Sequence, residues 1–270
     1  MSDSITLVDS GLPGPSVAIV GGVHGTERVG VEAVDRGIRE FLPEVGRIFY
    51  IIGNPPAVAT NSRYLDRDLN ACFDLPGPAT NYEESRAQQL ATIFEECDGL
   101  LDIHASFSLN ATPFVICEEN GLDLAKKLNF PIVTLGWDAL DPNSTDAFLN
   151  RRGKTGIGIE CGSIYDTSAG LPFACEAIEV FLETMGIRKS TVSQPCISQR
   201  LMRVYRSVDQ TETPIRFSRE YADFEALTAG EVFARAGETE YTAAAGDCIL
   251  FPRPAAPVGY DAFILAREES

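Results

Sequence analysis

The sequence predicts an α/β protein: a mixed, largely parallel sheet flanked by helices, followed by a small C-terminal all-β domain. Three observations lead there. Short β-branched runs alternate with longer amphipathic segments up to about Gly186. That alternation then stops in a polar stretch with no clear period. Beyond it, short strand-like runs follow one another with turn residues between them.

The elements follow in chain order. "SVAIV" (16–20) reads as a buried strand, and "ERVGVEAVDRGIREFL" (27–42) as a helix whose apolar residues recur at helical spacing. "RIFYIIG" (47–53) is a second strand. "NPPAVATNSRYLDRDLNACFDL" (54–75), with paired prolines, Asn-bearing turns and alternating charge, reads as a loop. A helix over 82–97 runs into the strand "GLLDIH" (99–104). Strands at 112–119 and 130–136 flank a helix at 121–129; "TGIGIE" (155–160) is a further strand, and 171–186 a further helix. The polar segment 187–199 is a linker. "RLMRVYRSV", "TPIRFSR", "GEVFARAG", "CILFPRP" and "YDAFILA" are the strand candidates of the second domain. The expected division is an α/β domain over 1–188 and a β-rich domain over 198–270.

Composition removes several function classes. A net charge of −17 argues against nucleic-acid binding, which needs clustered Lys and Arg to neutralise phosphates. Lys126, Lys127, Lys154 and Lys189 are the only lysines; a salt-adapted cytosol and an arginine-rich but ordinary acidic protein both fit that. The seven cysteines (72, 97, 117, 161, 175, 196, 248) form no C-x-x-C pair and read as reduced residues of a cytoplasmic protein. No apolar stretch approaches the roughly 20 residues of a membrane span, and "MSDSITLVDSG" lacks the features of a signal peptide. The oligomeric state is left open, a homo-oligomer included.

The chemistry centres on two histidines, the only ones in the chain. His24 and Glu27 lie between a predicted strand and the helix after it, and His104 ends another strand. Ligands of α/β sheets gather outside the carboxyl ends of strands, so the fold itself can bring these three together. They form a two-histidine, one-carboxylate set suited to one zinc ion with an open position for water. An H-x-x-E alone is weak, and a lone histidine is more often structural; the coincidence of both histidines at strand ends is what counts. Glu160 ends a third strand and is a candidate base for the attacking water. Arg63 is a candidate oxyanion donor, a role worth about 3–4 kcal/mol per donor. Asn70 is a candidate substrate-carboxylate ligand. For each, the plain alternative is a solvated or turn residue in a charged segment.

The motifs "GGVHGTERVG", "NPPAVATNSRYLDRDLNACFDL", "RAQQL", "LLDIHAS", "GIGIECG" and "GDCILFPRPAAPVGY" stand in the order found in the aspartoacylase/succinylglutamate desuccinylase family, which the chain resembles over most of its length. The resemblance implies a zinc-carboxypeptidase-like fold and a zinc-dependent amidohydrolase acting on a small N-acyl compound such as an N-acyl amino acid. It implies that His24, Glu27 and His104 bind zinc, that Glu160 is the catalytic carboxylate, and that Arg63 polarises the carbonyl. Asn70 and Tyr260 fall at substrate-binding positions, and either Arg151 or Arg152 matches the arginine that grips the acyl carboxylate.

Two departures stand out. The family's D-L-N-R is here "DLNA", with Ala71 in place of the arginine that holds the α-carboxylate, and N-P-R is Asn54-Pro55-Pro56. Alanine cannot replace a bidentate guanidinium. Either another cation does that work, or the substrate differs. Three rival readings remain: a metallocarboxypeptidase-like peptidase, a non-catalytic metal- or ligand-binding relative, and a Cys161 nucleophile activated by His104.

Overall fold

The computed structural model describes residues 4–189, 197–254 and 256–269. The predicted linker 187–199 lies mostly outside these residues, as does Cys196.

The chain builds β1 (Ile5–Asp9), β2 (Ser16–Gly21), α1 (Arg28–Glu40), β3 (Arg47–Ile52), α2 (Pro55–Thr60), α3 (Tyr82–Phe94) and β4 (Gly99–Ser106). It continues with β5 (Phe114–Ile116), α4 (Leu122–Ala125), β6 (Ile132–Leu135), α5 (Trp137–Leu140), α6 (Thr145–Asn150), β7 (Thr155–Ser163) and α7 (Thr167–Thr184). The remainder is β8 (Arg200–Asp209), β9 (Ile215–Phe217), β10 (Glu225–Ala226), β11 (Val232–Ala236), β12 (Thr239–Thr242), β13 (Asp247–Leu250) and β14 (Asp261–Glu268).

One 11-stranded sheet runs in the order β1-β3-β2-β4-β7-β5-β6-β8-β14-β13-β10, and β12-β11-β9 form a second, small sheet. The sheet is mixed: β3, β2, β4 and β7 are parallel neighbours, while β5 is antiparallel to β7. The C-terminal strands continue this sheet through a parallel β6–β8 pairing and then antiparallel β14 and β13.

Strand periodicity divides the core between the two faces. Val17 and Ile19 of β2 pack with Val29, Ala33 and Val34 of α1 and Ala177, Ile178 and Phe181 of α7. Ala18 and Val20 face the other way, toward Leu90 and Phe94 of α3 and Phe148 of α6. A third apolar cluster, with Phe114, Trp137, Met202, Leu250, Phe251 and Ile264, joins the α/β part to the C-terminal strands. Among the described residues, no helix is long and apolar enough to cross a membrane.

Several elements differ from their sequence expectation. The 54–75 loop begins with α2, whose prolines occupy its first turn, where a missing N–H costs nothing; the Asn54 side chain caps it by accepting from Ala57 N at 3.3 Å. Helix α7 starts at Thr167, before Pro172, because Asp166 caps it by accepting from Ala169 N at 3.1 Å. Helix α4 holds only four residues and β5 only three. Strand β1 and helices α5 and α6 were not expected at all.

Candidate functional site

Parallel strands β2, β4 and β7 end on the same side of the sheet, and their carboxyl ends carry the site. His104 of β4 and Glu160 of β7 are directly paired in register. His24 lies in the turn after β2, and Glu27 at the entry of α1. The Glu27 side chain does not cap its own helix. It reaches instead to both rings: Oε1 lies 2.7 Å from His24 Nδ1 and Oε2 lies 3.0 Å from His104 Nδ1, while Ala105 N donates to Oε2 at 3.3 Å. One ligand atom from each of the three residues falls within 4.8 Å of the others, and all three residues are buried.

A close approach of backbones makes this possible. Helix α1 crosses β2 and β4 at Gly30, where an added Cβ would lie 2.5 Å from the Ile103 carbonyl oxygen. Gly21 meets Gly30 from the strand side, its Cβ position only 2.2 Å from the Gly30 oxygen. The glycine pair lets the first turn of α1 bring Glu27 to His104.

The outward nitrogens of both rings face carboxylates. His104 Nε2 is 3.0 Å from Asp102 Oδ2, which also accepts from the Thr145 hydroxyl at 2.6 Å. His24 Nε2 is 2.9 Å from Asp68 Oδ1. Asp68 accepts in turn from Arg63 Nε at 3.2 Å and from Asn70 N at 3.0 Å. Burial disfavours charge on His104, but Asp102 and Glu27 outweigh it, and the imidazole is held well above its ordinary pKa. His24 is raised in the same way by Asp68 and Glu27, against burial and Arg63. The two histidines hold Glu27 well below the usual carboxylate range despite its burial. Asp68 is likewise low, with burial outweighed by His24 and Arg63.

The donor set fits a divalent metal ion. Two Nδ1 atoms and a carboxylate converge from three elements, and each histidine's other nitrogen is backed by an acid that fixes its tautomer and strengthens its basicity.

Glu160 lines the same cleft. Its Oε2 is buried and has no hydrogen-bond partner. Burial, and then the charge of Glu27, push its carboxyl up to about 8 against the pull of His104, His24 and Arg63. Arg63 also lines the cleft; its Nη1 makes only a long 3.4 Å contact with Glu27, so this donor is not committed to a short bond. Asn70 lines it too, with Oδ1 accepting from Thr145 N at 3.1 Å. Ile116, Trp137, Phe251 and Ile264 form an apolar wall around a small cavity of about 90 Å³.

The other candidates fall elsewhere. Arg151 and Arg152 both pair with Asp74, at 2.8 Å each, and neither is among the residues lining the cleft. Tyr260 lies in the adjoining outer cleft with Ala71, Asp141 and Asp209, its ring stacked on Tyr64 at 5.8 Å between centroids and the two hydroxyls in contact. Cys161 alternates away from Glu160 along β7 into the apolar core, and burial pushes its thiol well above the ordinary value. That placement removes the Cys161 nucleophile.

Sequence reasoning missed Asp68, Asp102 and Arg253. Asp102 had a signal: it lies two residues before His104 on a strand, and so on the same face. Asp68 had a weaker one, two residues before Asn70 in a loop. Arg253 had none.

Fold and site together define a class: an α/β protein with a candidate metal centre at the carboxyl ends of its parallel strands and an unpartnered carboxylate beside it. Comparison with known proteins then identifies the family. The model of the succinylglutamate desuccinylase/aspartoacylase catalytic domain matches residues 13–185, and that of the AstE/AspA barrel-sandwich hybrid domain matches residues 199–269. The chain belongs to this family.

A "probable aspartoacylase" of Parasynechococcus marenigrum (strain WH8102) is 33% identical over 165 residues, 55% of this chain and 53% of that protein. The chain therefore spans about half the length of such relatives. The N-acyl-aromatic-L-amino acid amidohydrolase (carboxylate-forming) of Rattus norvegicus is 25% identical over 279 residues, covering 87% of this chain and 84% of that protein. The solved succinylglutamate desuccinylase of Vibrio cholerae shares the fold with a TM-score of 0.83 at 18% identity, over 98% of this chain and 85% of that one.

Proposed function

We propose that the protein is a zinc-dependent amidohydrolase that cleaves the acyl–nitrogen bond of a small N-acyl amino acid or a closely similar compound. One observation carries the reading: the Glu160 carboxyl, whose Oε2 is buried and has no hydrogen-bond partner, lies in one cleft with the His24–Glu27–His104 group. A carboxylate so placed, with no hydrogen bond to hold it, is free to exchange a proton with a water beside the ion.

His24, Glu27 and His104 would hold the ion. When bound, zinc supplies Lewis-acid polarisation of the acyl carbonyl and a lowered pKa for the attacking water. Glu160 takes the proton from that water and returns it to the departing nitrogen, so that the amine leaves neutral. Arg63 Nη1 donates to the carbonyl oxygen as charge develops there. Asn70 orients the substrate, and the wall of Ile116, Trp137, Phe251 and Ile264 receives its apolar part and excludes bulk water. The reading includes the two-part division, with residues 1–188 carrying the chemistry and 198–270 completing the cleft through Phe251, Arg253, Asp261 and Ile264.

The test is amine release from a panel of N-acyl amino acids and neutral N-acyl amides, with and without a chelator. Chelator-sensitive release from at least one N-acyl amino acid is expected, and none from Glu160→Gln. Full turnover in the mutant, or no release anywhere in the panel from zinc-loaded protein, contradicts the reading.

A further inference from the structure

We infer that Arg253, from the C-terminal strands, is the specificity-determining residue that grips a substrate carboxylate in place of the arginine absent at position 71. The inference deepens the deacylase reading and rests on it.

Arg253 follows β13, and its backbone N–H donates to Ala262 O at 2.8 Å, which ties it to β14. Its guanidinium lies over two aromatic rings, 5.3 Å from the centroid of Phe107 and 5.5 Å from that of Phe251. Among the described residues no acceptor is within hydrogen-bond or ion-pair distance of it, whereas the guanidinium of Arg63 is held by Asp68 at 3.0 Å. Rings at the guanidinium faces leave the in-plane N–H donors free, the geometry that matches a carboxylate bidentately.

Position matters as much as pairing. Arg253 is common to the inner cleft, with His24, Glu27, His104 and Glu160, and to the outer cleft, with Tyr64, Ala71 and Tyr260. A substrate whose acyl group sits over the metal centre extends its carboxylate toward that outer part. A cation largely removed from water with no partner is unfavourable by itself, and desolvation together with nearby Arg63 lowers its pKa. A bound carboxylate relieves both.

The outer cleft also carries acids. Asp68 is committed to His24 and Arg63, and Asp261 accepts the Ser207 hydroxyl. Asp141 and Asp209 remain on the rim. Their alternative occupant is an ammonium group, which reverses the ranking of ligands in the test below.

The experiment is equilibrium titration of proteins with wild-type Arg253, Arg253→Gln or Arg253→Lys, all on the Glu160→Gln background that stops turnover and all equally zinc-loaded. The probes are an N-acetyl amino acid, its uncharged C-terminal amide, an amide that carries a side-chain ammonium, and free succinate. The protein with wild-type Arg253 is expected to bind the acid about tenfold or more tighter than its amide, as charge-assisted hydrogen bonds require. Arg253→Gln removes that preference and leaves amide binding intact, and Arg253→Lys restores part of it. Equal loss of acid and amide binding in Arg253→Gln overturns the inference in favour of a packing role. Preference for the ammonium ligand with Arg253 in place overturns it in favour of the acidic rim. Succinate binding that depends on Arg253, with no turnover of any N-acyl amino acid when Glu160 is intact, keeps the clamp and removes the deacylase reading. Carboxylate binding indifferent to Arg253 removes the clamp, whatever the activity.

Discussion

Substituting Gly30 by alanine sets two physical effects against each other. In an exposed helix the change is stabilising by about 1 kcal/mol, since glycine is the poorer helix former. Here the new Cβ would lie 2.5 Å from the Ile103 carbonyl oxygen, about 0.9 Å inside the 3.4 Å where ordinary contact begins, and 3.0 Å from Gly21 Cα. Both neighbours are backbone, so neither can swing aside. Overpacking of this kind costs about 1–3 kcal/mol and wins over propensity. The expected net loss is up to about 2 kcal/mol, a fall in Tm of up to about 8 °C for a domain of this size.

The site suffers more than the fold. Glu27 is one turn from Gly30, and its bridge to His104 Nδ1 at 3.0 Å and Ala105 N at 3.3 Å depends on where α1 begins. An outward shift of α1 opens both contacts and lowers metal affinity about 10–100-fold, as misplaced metal ligands do. Thermal unfolding and a competitive metal titration read the two effects on one preparation. A Gly30→Ala protein at least as stable as wild type, with unchanged metal affinity, refutes the reasoning.

Other expectations are simpler. Asp102→Asn leaves the fold intact and weakens metal binding about 10–100-fold, because His104 Nε2 loses its charged partner; metal titration checks it, and unchanged affinity counts against the role. Asp247 tests the C-terminal strands through pH. The Tyr205 hydroxyl, Ala244 N–H and Arg267 outweigh its burial and hold its carboxyl below the ordinary value. A lowered carboxyl pKa contributes stability above the unfolded value of about 3.9 and loses it as pH falls toward the folded value. Asp247→Asn is therefore destabilising at pH 7 by about 1–3 kcal/mol, as for a buried acceptor lost, and the difference from wild type shrinks below about pH 4. Denaturant midpoints that differ by a constant amount across that range contradict it.

The parallel strands were legible because burial on both faces leaves β-branched runs such as "SVAIV" and "GLLDIH" with little other use. The positions of His24, Glu27, His104 and Glu160 followed from the same reading, since strand ends are where such a sheet presents side chains. What escaped was local or long-range. Helix α2 hid behind two prolines that a first turn accepts, and α6 behind a Ser144 cap that accepts from Ala147 N at 3.2 Å within a polar run. Arg253 enters the cleft only because β13 and β14 pair and the sheet continues through β8, an arrangement that no spacing between position 253 and the histidines encodes. Arg151 and Arg152 had the right charge and lie near the C-terminal end of a short helix, where Asp74 holds both.

The central claim is that one buried His–Glu–His group holds the metal while Glu160 moves the proton. Bound zinc and amine release, read on the same samples of wild type, Glu160→Gln and His104→Ala, test it most directly. The account predicts both signals in wild type, zinc without turnover in Glu160→Gln, and neither in His104→Ala. Undiminished turnover in Glu160→Gln, or in zinc-free wild type, would contradict it.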